Sequence, residues 1–224
     1  MEEAPPPPKT IGVISALSDQ VTVIDATGGW MRHRATYPLA DWPIDALATQ
    51  EATDWLEKKG FEVKPVSVEK SAFSAQALGG PVSRSGWLDR IRPNLADIIH
   101  RDVRPGDLSY YLVLVEASGS ASIPDLHGIG FVHFSRKPQA FMLYHAFLID
   151  GKSGETIDEF QADADNAHWG DSAAISGPNA DLPKAVWPQQ VDAWSDEQRA
   201  AFREAVERAL RTNLKVNLRR LDLP

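Results

Sequence analysis

Apolar and polar positions recur along the chain with a regularity that predicts most of its elements. Residues 10–17 (TIGVISAL) are β-branched and aliphatic, and after Ser18, Asp19 and Gln20 a second run of the same kind follows at residues 21–26 (VTVIDA). So short a link between two strands predicts a hairpin, with Thr27-Gly28-Gly29 as the next turn. Residues 31–39 (MRHRATYPL) continue the sheet, and Pro38, lacking an amide to donate, confines them to an edge or an end. Ile44, Leu47, Ala48, Ala52, Trp55 and Leu56 then fall at helical spacing, predicting a helix over 43–59 with Asp41 as its cap and Gly60 at its close. Residues 61–68 (FEVKPVSV) read as a strand, and the small-residue stretch 69–86 as a loop.

The second half follows the same rules. Leu88, Ile91, Leu95, Ile98 and Ile99 predict a helix over 87–101, kinked or restarted at Pro93. The most strand-like run, residues 108–118 (LSYYLVLVEAS), is expected at the centre of a sheet. Residues 128–134 and 140–149 follow with short connections, which implies antiparallel pairing. Residues 163–194 look irregular. The last helix, 196–218, opens with a Ser-x-x-Gln capping box at Ser195 and Gln198 and carries a stripe of Phe202, Val206, Ala209, Leu210 and Leu214. The pattern predicts an α/β (α+β) domain over residues 10–224, a single mixed, largely antiparallel sheet of about five to seven strands packed against three helices.

Composition narrows the function. With 31 acidic against 23 basic residues and a net charge of −8, the chain is poorly suited to neutralising phosphates, so nucleic acid is not an expected partner. The absence of cysteine excludes disulfides, thiolate metal sites and cysteine nucleophiles. Apolar runs are of strand length, far short of the roughly 20 residues that cross a bilayer. The start, MEEAPPPPKT, has neither the basic nor the apolar part of a signal peptide. Residues 1–9 read as a disordered, Pro-rich lead-in: a lipid or secretory tether whose leader has been removed, or else a cytoplasmic N-terminus.

Four features carry candidate chemistry. Gly151-Lys152-Ser153 matches the tail of a phosphate-binding loop, but the position where that loop needs its first glycine is Ala146, inside an apolar strand, and residues 155–160 (ETIDEF) start no helix. A hairpin turn is the expectation there. Asp163, Asp165, His168 and Asp171 offer oxygen and imidazole ligands for a metal ion, although Ala167 stands where an EF-hand needs a ligand. Ser118, Ser120, Ser122, Asp125 and His127 contain the ingredients of a serine hydrolase site without its Gly-x-Ser-x-Gly elbow. Trp169, Trp187 and Trp194 form either a cover for the end of the core or a surface for a partner.

In their order, residues 10–17, the helix ending WLEKKGFEV, residues 108–118 after a helix, and the hairpin FLIDGKSGETIDEF resemble the periplasmic lipoprotein domains related to the N-terminal domain of TolB and to CsgG-type secretion lipoproteins. The segment 163–194 departs from that group, and the chain has no lipobox cysteine. The resemblance implies a non-enzymatic envelope protein, periplasmic or secreted, that assembles with protein partners and needs no cofactor. The alternative is a hydrolase or metal-dependent enzyme built on residues 118–127 and 163–171.

Overall fold

The first strand, β1 (Thr10–Ala16), is buried on both faces, and so is the strand that follows it, β2 (Gln20–Asp25). The computed structural model describes residues 9–25, 27, 33–38, 41–74, 77–78, 82–83, 95–118, 128–133, 138–162, 179–182, 187 and 194–224. Its further elements are β3 (His33–Pro38), α1 (Ile44–Lys58), β4 (Glu62–Lys64), a 3-10 turn at Lys70–Phe73, β5 (Val82–Ser83), α2 (Leu95–Asp102), β6 (Tyr110–Ser118), β7 (Ile129–His133), β8 (Pro138–Met142), β9 (Tyr144–Asp150), β10 (Thr156–Gln161), β11 (Asn179–Asp181) and α3 (Asp196–Leu218).

The expected single sheet is two. One has the order β10-β9-β6-β1-β4, with β5 also on β6, and the other β11-β8-β7-β2-β3. β1 and β2 therefore do not form the hairpin their spacing suggested. A strand buried on both faces needs neighbours along both edges, and β1 takes β6 and β4 in parallel while β2 takes β7 in parallel and β3 antiparallel. The orders match across the break: β9-β6-β1 in one sheet stand against β8-β7-β2 in the other. β1 leads into β2 through residues 17–19 and β8 into β9 through Leu143, so two of these crossings from sheet to sheet lie within the described residues.

Backbone hydrogen bonds close that break. The N–H of Ala117 donates to the carbonyl of Leu143 (3.1 Å), that of Leu143 to Gly128 (2.7 Å), and that of Gly128 back to Ala117 (3.0 Å). This ring satisfies amides and carbonyls that the interruption would otherwise leave buried without partners.

Alternation along the first sheet separates two core layers. Ile11, Val13, Leu112, Leu114, Ala146 and Leu148 meet α1 and α3, whereas Ile14, Ala16, Tyr111, Val113, Val115, Phe147 and Ile149 meet Leu95, Ile98 and Ile99 of α2. The second sheet adds Val21, Val23, Ile129, Phe131 and Ala140 to the first layer.

Local expectations about the helices fare unevenly. The capping box of α3 forms as read, with the Gln198 amide on Ser195 Oγ (3.2 Å) and the Ser195 amide on Gln198 Oε1 (2.8 Å). Asp41 does not cap α1. Pro43 holds that position, and Asp41 instead accepts both of its bonds from Arg199 of α3, at 3.0 Å each. The long-range guanidinium outcompetes the local amides for the same carboxylate. Residues 84–94, with Pro93, lie outside the described residues. So do residues 1–8 of the lead-in and most of 163–194, a segment read as irregular that nevertheless supplies β11, paired with β8.

Candidate functional site

In open α/β sheets, ligands bind in the crevice beyond the carboxyl ends of parallel strands, where connections depart to opposite faces. β6, β1 and β4 are parallel neighbours here, with α1 and α2 on opposite faces, so the place to look is the end of β1 and β6. That place is filled by the chain itself. β1 continues into β2, β5 takes up Ala117 and Ser118 of β6 beyond the point where β1 stops at Val115, and the Ala117–Leu143–Gly128 ring closes the remainder. Gly128 has φ +60°, and a β-carbon on it would lie 2.9 Å from Ser18 Cβ and 2.8 Å from the carboxyl carbon of Glu116. No room for a ligand is left between those three residues.

Beside this junction lies a charged cluster that the sequence did not disclose. Asp45, in the first turn of α1, accepts through one oxygen from Ser15 Oγ (2.7 Å) and the Leu17 amide (2.9 Å), and through the other from Lys70 Nζ. Lys70 also pairs with Asp19. Burial works against the Lys70 charge, but its bonds to Asp19 and Asp45 outweigh this and raise its pKa above the ordinary lysine value. A lysine so held is protonated at neutral pH, which makes it a clip and not a nucleophile. The partners are 25 and 51 residues apart in sequence, so no local pattern announces them.

The Gly-Lys-Ser stretch is a hairpin turn, as spacing predicted. β9 and β10 pair antiparallel on either side of it. The amides of Lys152 and Ser153, which a phosphate would need, both donate to Asp150 Oδ1 at 3.0 and 2.7 Å. Gly151 is required for a different reason: a β-carbon there would fall 1.9 Å from the carbonyl oxygen of Leu108, on which the turn is seated.

The other candidates separate. Asp163, Asp165, His168, Trp169 and Asp171 lie outside the described residues, as do Ser120, Ser122, Asp125 and His127. Among the described residues no group of three His, Asp or Glu is placed to hold a metal ion. Trp194 packs edge-on against Tyr37 (4.8 Å) and Phe202 (4.7 Å), and Trp187 lies 5.1 Å from the ring of His133. Both are half-buried over the second sheet. Near them, burial would raise the Asp25 carboxyl, but the Thr27 amide and hydroxyl (2.9 and 2.7 Å) and nearby His133 hold it below the usual range. His145 is buried, stacked on Phe147 at 4.4 Å with Glu159 at 3.9 Å.

An open depression of about 520 Å³ is lined by Glu69, Ser71, Ala72, Arg101, Asp102 and Arg104. Its charges balance, and Arg101 is engaged by Asp102 in a two-point pair at 2.9 and 2.7 Å. Among the described residues, β11 and β3 end one sheet and β10 and β4 the other, each with a strand neighbour on one side only. No helix among the described residues is long and apolar enough to cross a membrane.

No known protein family and no curated protein matches the sequence. Among solved structures, the chain is similar to the hypothetical protein CT253 from Chlamydia trachomatis, at 8% identity and a TM-score of 0.43, covering 96% of this chain and 95% of that one. It is similar to the lipoprotein GNA1162 from Neisseria meningitidis at 14% identity and a TM-score of 0.32, covering 69% and 81%. A third similarity is to the DUF330 protein XCC0632 from Xanthomonas campestris, at 11% identity and a TM-score of 0.39, covering 94% and 81%.

Proposed function

We propose that the protein is a non-enzymatic, protein-binding module of the cell envelope, periplasmic or secreted. The observation that carries the non-enzymatic part is the filled strand-end crevice. The position where this class of sheet holds substrates and cofactors is occupied by Gly128 and its hydrogen-bonded ring, so the fold has given that place to structure. Recognition then falls to the sheet rims, where a partner's extended segment adds a strand to β3 or β10 by main-chain hydrogen bonds. The compartment rests on the resemblance of residues 10–17, 108–118 and the 147–160 hairpin to periplasmic lipoprotein domains.

Two measurements test this reading. The full natural gene is expressed in its source cells and the cells are fractionated; recovery in the cytoplasm would remove the envelope assignment. A photo-crosslinking residue is placed at exposed Thr36 of β3, at Gln161 of β10 and, as control, at Lys58 of α1. Discrete adducts from the edge positions alone support strand addition, whereas equal adducts from Lys58 refute it.

A further inference from the structure

We propose that residues 65–74 are a strap, latched by Lys70, that covers a free edge of β1, and that the latch releases as ionic strength rises. β4 is short, and its pairing with β1 runs only from Thr10 to Gly12. Pro65 follows at once and has no amide with which to extend the ladder. From Val13 to Ala16, therefore, β1 has a strand neighbour on its β6 side only, among the described residues. Their side chains are covered on the two faces, Val13 by the layer of α1 and α3 and Ile14 and Ala16 by that of α2, and what comes close to this stretch of β1 after β4 ends is the 3-10 turn at Lys70–Phe73.

The strap holds on at four points. Val66 lies against Gly12, where a β-carbon would meet Val66 Cγ1 at 2.5 Å. Ser67 exchanges two backbone bonds with Arg104, at 2.8 and 3.0 Å. Phe73 is sunk in the core beneath α2. Between these, Lys70 reaches Asp19 and Asp45, and Asp45 in turn holds Ser15 and Leu17 at the end of β1. The ionic contact thus ties the strap, through the Asp45 carboxylate, to the end of the strand beside it.

Exposure decides how firm the latch is. The side chains of Lys70 and Asp45 are 33% and 31% exposed and that of Asp19 is 78%, so salt and water reach all three. Pairs of this kind are individually weak and are screened over about 8–10 Å at ordinary ionic strength. Phe73 and the Ser67–Arg104 bridge are apolar or neutral and do not respond to salt. Weakening the ionic contacts alone loosens the middle of the strap while its ends stay seated. An uncovered row of strand amides and carbonyls is a place where another extended segment adds.

Hydrogen exchange on the full chain, between about 0.02 and 1 M NaCl, tests the proposal. In Lys70→Met at low salt, exchange of residues 66–74 and of Val13–Ala16 is expected to rise about tenfold together, with β9 unchanged. Wild-type protein at high salt should approach the variant, and Lys70→Arg, which keeps the charge, should restore the salt dependence. Three outcomes each overturn the proposal: no change in either segment, a rise in 66–74 without one in Val13–Ala16, or a rise of equal size in β9.

Discussion

Gly128 and Glu116 are so close that a β-carbon on the glycine would lie 2.8 Å from the glutamate's carboxyl carbon. The two residues face each other across the line where one sheet becomes the other, and Ser18 closes the third side at 2.9 Å. Gly128→Ala is therefore expected to cost about 2–3 kcal/mol, combining a left-handed backbone with a contact that cannot relax on the Ser18 side. Gly60 supplies the comparison. Its φ is +87° but nothing lies within 4 Å of a β-carbon there, so Gly60→Ala should cost about 1 kcal/mol, the conformational part alone. Urea midpoints of the two variants measure the difference, and equal midpoints would mean that the junction is loose.

The two helices of the first core layer are joined by a carboxylate that is nearly inaccessible. Glu51 of α1 is 9% exposed and meets Arg211 of α3 at 2.8 Å and Lys215 at 3.6 Å. Removing either cation leaves the other to compensate, so Arg211→Ala should cost about 1 kcal/mol and Lys215→Ala less. Removing both strands the glutamate without a cation, and the double variant should lose more than the sum of the singles. A double-mutant cycle by chemical denaturation reads this coupling; strict additivity would show that Glu51 is solvated in place.

What the sequence made legible was what is decided within a few residues. The Ser195–Gln198 box, the Asp150–Gly154 turn and the apolar stripe of α3 depend on neighbours at fixed offsets, and all were readable. The strand runs were readable too, since β-branched residues buried on both faces leave a plain trace in the sequence. Partner choice was not. The link through Ser18 and Asp19 suits a hairpin as well as it suits a strand crossing between sheets, and only the long-range pairing of β1 with β6 and of β2 with β7 decides the matter. Asp41 looked like a cap because its real partner, Arg199, is 158 residues away. The Lys70 clip failed to register for the same reason: Asp19, Asp45 and Lys70 are three ordinary surface charges until the fold assembles them.

Asp150 gives a pH prediction whose sign is fixed by its bonds. The Ser153 amide, aided by Ser153 Oγ, the Lys152 amide and the Lys152 charge, holds its carboxyl below the ordinary aspartate value. A carboxyl depressed in the folded state stabilises above its unfolded pKa, and that contribution is lost as pH falls through the folded value. The stability difference between wild type and Asp150→Ala should thus be constant from neutral pH down to about 4 and shrink below it. A difference that persisted undiminished into strong acid would contradict the turn geometry. The same occupied amides predict that millimolar ATP with magnesium leaves the melting temperature unchanged, since a ligand stabilises only what it binds.

Tyr144 and Asn213 form a buried polar contact between β9 and α3. The phenol donates to Asn213 Oδ1 at 2.9 Å, and Asn217 Nδ2 donates to the same oxygen. Burial raises the phenol's pKa far above its usual value, so it remains neutral and remains a donor. Tyr144→Phe removes one of two donors and should cost about 1 kcal/mol. Asn213→Leu removes their shared acceptor and leaves the buried phenol without it, while Asn217 Nδ2 keeps its bond to the Asn213 carbonyl (3.1 Å), and should cost about 2–3 kcal/mol. The order of the two losses is the test: a larger effect from Tyr144→Phe would mean that the acceptor is supplied by another group.

Trp194 decides whether the tryptophan-bearing segment serves the interior or a partner. Its ring centroid lies 4.8 Å from Tyr37, 4.7 Å from Phe202, 5.9 Å from Phe131 and 6.3 Å from Trp42, so it joins an edge strand, a helix and the second sheet in one cluster. Such edge-on ring pairs add roughly 0.5–1.5 kcal/mol each beyond the area they bury. Trp194→Ala is accordingly expected to lower stability by about 3 kcal/mol, while Trp194→Phe, which keeps a ring in the cluster, should cost about half as much. The near-ultraviolet circular dichroism of the alanine variant should lose intensity, because several of the remaining rings lose their fixed neighbour. If Trp194→Ala left the urea midpoint unchanged and altered only the crosslinks formed at Thr36, the tryptophan would belong to the binding surface at β3 and not to the core.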